Sequence, residues 1–111
     1  MATGDVQKQL EIKGNVVKRC LKDLELYRRE ELDERAKVDR LKASNADPYD
    51  IKYAENIMQE AVAMVPDAVQ RLRTAHRDLK SFLDSNASEL TSDQLTENTK
   101  LIQTAVTMVD A

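Results

Sequence analysis

The chain has 111 residues, and its 17 basic and 20 acidic residues give a formal net charge of −3. This balance argues against the concentrated basic face that nucleic-acid binding requires. Aromatic residues make up 4% and tryptophan is absent, so we expect a core of Leu, Val, Ile, Met and Ala, while two glycines and two prolines are too few for a turn-rich β protein.

The first predicted helix covers residues 6–42. Its main apolar line comprises Leu10, Val17, Cys20, Leu24, Tyr27, Val38 and Leu41. Glu31 and Glu34 fall on core positions of the same spacing. A second line comprises Val16, Leu21, Leu32 and Ala36. Two adjoining lines make a wide stripe, which predicts that this helix contacts two others. Gly14 is expected to weaken the helix by about 1 kcal/mol relative to Ala and to favour fraying before it.

The second predicted helix covers residues 48–84. Asp47 can cap its first amides, and Pro48 suits the first turn because its missing N–H would be unpaired there. Its apolar seam alternates steps of three and four through Ile51, Ala54, Met58, Ala61, Val65, Ala68, Leu72, Ala75, Leu79 and Phe82. Such a seam is typical of a long helix packed lengthwise on other helices. Pro66 interrupts it chemically without changing its phase, which predicts one kinked helix rather than two.

The third predicted helix covers residues 92–109 and begins with the capping-box spacing of Thr91 and Gln94. Its predicted apolar face comprises Leu95, Asn98 or Thr99, Ile102, Val106 and Val109. Short linkers make neighbouring helices antiparallel. The sequence therefore predicts an all-α, antiparallel up-down-up three-helix bundle with two long heptad helices, as a single domain over residues 1–111.

The residue types that carry catalysis or metal binding are sparse and scattered. The single histidine, His76, lies beside the seam and is expected to be half covered by a neighbouring helix. Cys20, on the seam of the first helix, is expected to be an inert thiol, since no histidine of that helix can activate it. Without a glycine-rich phosphate loop or clustered ligands, the sequence predicts neither an enzyme nor a cofactor or metal site.

The compartment is predicted from what the sequence lacks. No apolar run approaches the length of a membrane helix, and the first residues lack the apolar stretch of a signal peptide. One cysteine excludes an internal disulfide, which agrees with a reducing cytosolic location.

A set of motifs resembles the tubulin-binding cofactor A family. They are Val16-Val17-Lys18-Arg19, Tyr49-Asp50-Ile51-Lys52, Ala54-Glu55, Ile57, Gln59-Glu60, Met64, Pro66-Asp67, Arg71-Leu72, Ala75, Asp78-Leu79 and Leu83. The most specific mark is the proline followed by aspartate inside a long heptad helix. The chain departs from the family at Ala61-Val62-Ala63, where many members have Ser-Arg-Met, so the family's basic residue is missing at position 62.

The resemblance implies a chaperone that captures β-tubulin after its release from the cytosolic chaperonin and holds it for αβ-heterodimer assembly, without nucleotide. It implies β-tubulin as the partner, other tubulin-folding cofactors as further candidate partners, and a cytoplasmic, cytoskeleton-associated protein. Neither nucleic acid nor a membrane is an expected partner. The sequence is compatible with a monomer or a homodimer.

Candidate partner-binding residues come from the matched motifs and from the basic cluster of the first helix. They are Lys18, Arg19, Tyr49, Asp50, Lys52, Glu55, Gln59, Glu60, Met64, Pro66, Asp67 and Arg71. The alternative function is a coiled-coil scaffold or tether subunit of a larger helical assembly. Such a subunit would expose a continuous apolar stripe, whereas a closed bundle would not.

Overall fold

A computed structural model describes residues 2–111, with side chains from Gly4 onward. It contains three α-helices: α1 (Ala2–Ala43), α2 (Pro48–Asn86) and α3 (Ser92–Asp110). A short 3₁₀ turn at Ala87–Glu89 precedes α3, and no strand occurs in residues 2–111. The fold is all-α, as predicted.

The chain divides into two compact units. Unit 1 comprises the residues up to Lys22 together with Val69–Ala111, and unit 2 comprises Asp23–Ala68. Unit 1 therefore contains the first part of α1, the second part of α2, and α3. Unit 2 contains the remaining parts of α1 and α2, joined by residues 44–47.

The core of unit 1 consists of aliphatic side chains from all three helices and the turn before α3. They are Val6, Leu10, Val17, Leu72, Ala75, Leu79, Leu83, Leu90 and Ala105. Leu72 and Leu79 have no exposed surface, which confirms the predicted phase of the α2 seam. Lys13 ties α1 to α2 through a 2.9 Å ion pair with Asp78 and lies over the ring of Phe82.

Gly14 lies inside α1 at a point where this helix faces α3. The helix continues through it, and both Val6 and Leu10 before it are buried, contrary to the expected fraying. A Cβ placed on Gly14 would lie 3.4 Å from Oδ1 of Asn98. A side chain as small as that of alanine would therefore make an ordinary contact with Asn98 of α3. Gln7 and Gln94 join the same two helices by hydrogen bonds between their side-chain amides.

The core of unit 2 is smaller, with Leu24, Val38, Ala54 and Ala68 as its buried apolar side chains. Glu31 and Glu34 occupy the predicted core positions of α1 but are half-buried. Glu31 accepts a 2.9 Å hydrogen bond from Arg35, and Glu34 lies 3.4 Å from Lys37. Their aliphatic stems cover the core while their carboxylates reach basic partners.

The second apolar line predicted on α1 is only partly covered. Val16 is 47% exposed and Leu32 is 68% exposed, so the expectation that this line packs against a further helix is wrong at both positions. For Leu32 the reason is that unit 2 contains only two helical segments, and no third helix of that unit can cover it.

The predicted face of α3 is partly confirmed, because Leu95, Ile102 and Val109 are half-buried, but Val106 is not on it. Ala105 is fully buried and Asn98 is half-buried, whereas Thr99 is exposed and the predicted Val106 is 41% exposed. The smaller residue occupies the interior because α3 packs closely in unit 1, and the larger valine lies toward solvent.

Local sequence signals set the helix ends. Asn45 has a φ of 55°, and the amide of Ala46 donates to the carbonyl of Leu41, which is the Schellman arrangement at the end of α1. Asp47 accepts a 2.8 Å hydrogen bond from the amide of Tyr49 at the start of α2. Thr91 and Gln94 form the predicted capping box of α3.

Candidate binding surface

The predicted partner-binding residues lie at the protein surface. Glu55 is half-buried and pairs with Lys42 at 3.4 Å, and the other eleven candidates are exposed. Exposure makes these side chains accessible to a macromolecule, but it does not place them on one surface. Their distribution within each unit decides which of them can act together.

Three candidates, Lys18, Arg19 and Arg71, belong to unit 1. Lys18 borders a depression between α1 and α3 that is also lined by Gln94 and Asn98. Arg71 borders a different groove, of about 520 Å³, between α1 and α2. The structure therefore places Lys18 and Arg71 on separate features of unit 1.

The groove beside Arg71 is largely apolar. Its lining residues are Val16, Cys20, Gln70, Arg71, Thr74, Ala75 and Asp78. Cys20 is half-buried here rather than enclosed in the core. Because Val16 is one of the exposed apolar residues of α1, this groove offers a small apolar surface next to a guanidinium group.

Nine candidates belong to unit 2, and all of them lie on α2. An α-helix turns about 100° per residue, so residues 49, 60 and 64 lie within about 60° of one another, whereas Lys52, Gln59 and Pro66 lie about 100° away around the helix. Both groups are exposed, and they adjoin each other on the side of α2 away from the buried Ala54 and Ala68.

The face with Tyr49, Glu60 and Met64 borders a groove of about 410 Å³ between α1 and α2 of unit 2. Its lining residues are Glu30, Glu34, Ile57, Glu60, Ala61 and Met64. Glu30, Ile57 and the neighbouring Tyr53 are not among the partner-binding residues predicted from the sequence. Tyr53 follows Tyr49 by one helical turn, and this spacing on the side away from the seam is the signal that could have identified it.

His76 supports the prediction of a structural role. It is half-buried in unit 1, and its Nδ1 atom is buried without a hydrogen-bond partner among the described residues. Burial and the positive charges of Arg77 and Arg73 lower the pKa of its imidazole, while Asp110 acts in the opposite direction. The lowered pKa favours the neutral form of this imidazole.

Residues 2–111 hold no cluster of three or more histidine, cysteine or acidic side chains arranged to bind a metal ion. In the same part of the chain, no helix has the length and apolar character needed to cross a bilayer.

The fold is that of an all-α helical protein with grooves between its helices. The chain belongs to the tubulin binding cofactor A family, whose family model matches residues 5–106. Since its relatives are named as chaperones and folding cofactors, the chain is not an enzyme.

Individual relatives agree with this assignment. The chain is 43% identical over 76 residues to tubulin-folding cofactor A of Arabidopsis thaliana, covering 68% of this chain and 67% of that protein. It is 40% identical over 83 residues to tubulin-specific chaperone A of Gallus gallus, covering 75% and 76%. The crystal structure of the Arabidopsis cofactor superposes with a TM-score of 0.86 at 33% identity, over 93% of this chain and 97% of that one.

Proposed function

We propose that this protein is a tubulin-folding chaperone that captures β-tubulin after chaperonin release and holds it for assembly of the αβ heterodimer. The observation that carries the proposal is the family match over residues 5–106, together with relatives named for tubulin folding. Holding a folding intermediate requires an accessible surface and reversible contacts rather than covalent chemistry, so no nucleotide or other cofactor is needed.

The surface agrees with this activity. Exposed large apolar residues occur in both units and are interspersed with charged side chains; they are Ile12, Val16, Leu26, Leu32, Tyr49, Tyr53, Met64 and Val106. Apolar contacts supply affinity for a partly folded client, and the surrounding charges keep the free protein from aggregating. The proposal places the protein in the cytoplasm with the cytoskeleton, and other tubulin-folding cofactors are further candidate partners.

The candidate contacts are the exposed residues described above, including Lys18, Arg19 and Arg71 in unit 1 and the two adjoining groups on α2 in unit 2. Because tubulin is captured as a free subunit, we expect these residues to contact β-tubulin surface that the αβ heterodimer covers. The alternative of a scaffold subunit stays untested, and the family match favours the chaperone.

The test is capture of free β-tubulin and of αβ heterodimer by the immobilised protein. We expect the free subunit to be captured preferentially. The charge-reversed Lys18→Glu/Arg71→Glu protein should capture it more weakly at unchanged helicity. Lys80→Glu/Lys100→Glu makes the same change in net charge at two exposed bases of unit 1 that border neither depression, and it serves as the control. Unaltered capture by the first variant would remove Lys18 and Arg71 from the contact surface, and equal capture of the heterodimer would contradict the proposed function.

A further inference from the structure

The groove of unit 2 combines an apolar floor with acidic edges. Ile57, Ala61 and Met64 of α2 provide its apolar part. Glu30 and Glu34 line it from α1, and Glu60 lines it from α2. An apolar surface framed by charges of one sign selects its occupant by both properties, because the apolar part favours burial and the charges exclude partners of like sign.

Two tyrosines extend this groove along the same face of α2. Tyr49 is 86% exposed and Tyr53 is 69% exposed, and positions 49, 53, 57, 60 and 64 follow one another at steps of three or four. Tyrosine is enriched at protein interfaces because it supplies a large contact area with few rotatable bonds. The groove with its two tyrosines is therefore a continuous surface on α2, and we name it the acidic tyrosine face.

The carboxylates of this face are incompletely neutralised. Neither Glu30 nor Glu60 forms an ion pair within the described residues. Glu34 is paired with Lys37, since its Oε2 atom lies 3.4 Å from Nζ of that lysine and its Oε1 atom accepts a 3.5 Å hydrogen bond from it. Within the described residues, Glu30 and Glu60 are therefore the carboxylates of this face to which a basic partner can add an ion pair.

The charge of the whole unit has the same sign. Unit 2 carries 7 basic and 12 acidic residues, a net charge of −5, whereas unit 1 carries 10 basic and 8 acidic residues, a net charge of +2. The negative potential of unit 2 attracts cationic partners and repels anionic ones. Charge complementarity thus identifies the class of partner that fits the acidic tyrosine face.

We propose that the acidic tyrosine face docks a basic amphipathic α-helix of the tubulin client, an inference that rests on the function proposed above. Apolar residues of that helix, spaced three and four apart, pack on Ile57 and Met64. Lysine or arginine residues beside them meet Glu30 and Glu60, and a cation over the ring of Tyr53 adds to the attraction. The geometry is that of a third helix packed on the two helical segments of unit 2.

The first experiment isolates the groove from the client. Two synthetic helical peptides of about 18 residues carry the same leucine stripe, flanked by lysines in one and by glutamates in the other. We expect the wild-type protein to bind the lysine peptide at least about tenfold more tightly. The Glu30→Lys/Glu60→Lys variant should reverse this preference. Its control, Glu25→Lys/Asp39→Lys, makes the same net-charge change at exposed residues outside the groove lining and should keep the wild-type preference.

Equal loss of preference in both variants would show that only the net charge of the unit matters, and this would overturn the proposed site. An unchanged preference in Glu30→Lys/Glu60→Lys would do the same. Both variants alter exposed side chains, so circular dichroism should show wild-type helicity in each.

The second experiment uses the client itself. Glu30→Lys/Glu60→Lys should reduce capture of free β-tubulin by at least about tenfold, and Met64→Ala should also weaken it, while the control variant stays within about twofold of wild type.

If wild type captures no β-tubulin, the proposed function fails while the peptide experiment still decides whether the face takes a basic helix. Normal capture by the double variant would overturn the client assignment. Self-association that is lost in the same variant would assign the face to a second copy of the chain and would also overturn it.

Discussion

At the scale of single residues, the interior of unit 1 depends on side chains of α2 that have no exposed surface. Leu72 and Leu79, seven residues apart, are both fully buried. Leu72→Ala should therefore lower the free energy of unfolding by about 2–5 kcal/mol, through lost apolar burial and the cavity left behind. Urea unfolding measures this cost.

The matched control is Leu32→Ala, the same substitution at a leucine that is 68% exposed. We expect it to change the free energy of unfolding by less than about 0.5 kcal/mol. A cost of only a few tenths at Leu72 would show that the α2 seam is placed on the wrong face.

His76 gives unit 1 a pH-dependent stability. The folded state lowers the pKa of His76, chiefly through burial and then through Arg77 and Arg73, with Asp110 opposing. The unfolded chain therefore binds a proton more readily, so stability is highest above the ordinary histidine pKa of about 6.5 and decreases as the pH falls below it. The free energy of unfolding should drop less between about pH 8 and pH 5.5 in His76→Gln than in wild type. An equal drop in both proteins would show that His76 does not contribute.

At the scale of helices, the regular spacing of apolar residues predicted the buried residues correctly where those residues are large. The α2 seam was predicted correctly at Leu72 and Leu79 because large aliphatic residues at heptad spacing, flanked by charged residues, mark the buried face of a helix. In α3 the same spacing pointed to Val106, but the buried residue is Ala105. Apolar size misled there, since close packing in unit 1 favours the small side chain.

The candidate surface was less predictable than the helices. A single sequence gives the positions of charged residues around one helix, but not which grooves between two helices they border. The acidic groove of unit 2 depends on Glu30 and Glu34 from α1 meeting Glu60 from α2. Which residues of α1 face Glu60 depends on how the two helical segments are aligned along each other. Local sequence patterns do not give this alignment.

Pro66 lies in the interior of α2, and its substitution tests what the proline does in this helix. It is exposed, and α2 continues through it although its missing N–H removes one helical hydrogen bond. Pro66→Ala restores this donor and a good helix former, so stability should hold or rise. We expect capture of β-tubulin to fall, because we propose that the proline shapes the binding surface of α2. Retained capture by a well-folded Pro66→Ala protein would show instead that the proline is only tolerated.

At the scale of the whole molecule, we propose that residues 1–111 form a single domain, because α1 and α2 each run without interruption through both compact units. All three tyrosines, at positions 27, 49 and 53, belong to unit 2. Tyrosine fluorescence therefore reports on unit 2, whereas far-ultraviolet circular dichroism reports on all helices. Urea transitions followed by the two signals should coincide. Separate midpoints would show that the units unfold independently.

The central claim is that this member of the tubulin binding cofactor A family holds free β-tubulin. Sedimentation velocity tests it most directly, because it reports complex formation and the oligomeric state of the free protein in one measurement. We predict that the protein co-sediments with free β-tubulin as a discrete complex and leaves the boundary of the αβ heterodimer unchanged. Co-sedimentation with the heterodimer to the same extent, or no complex with free β-tubulin, would contradict the claim.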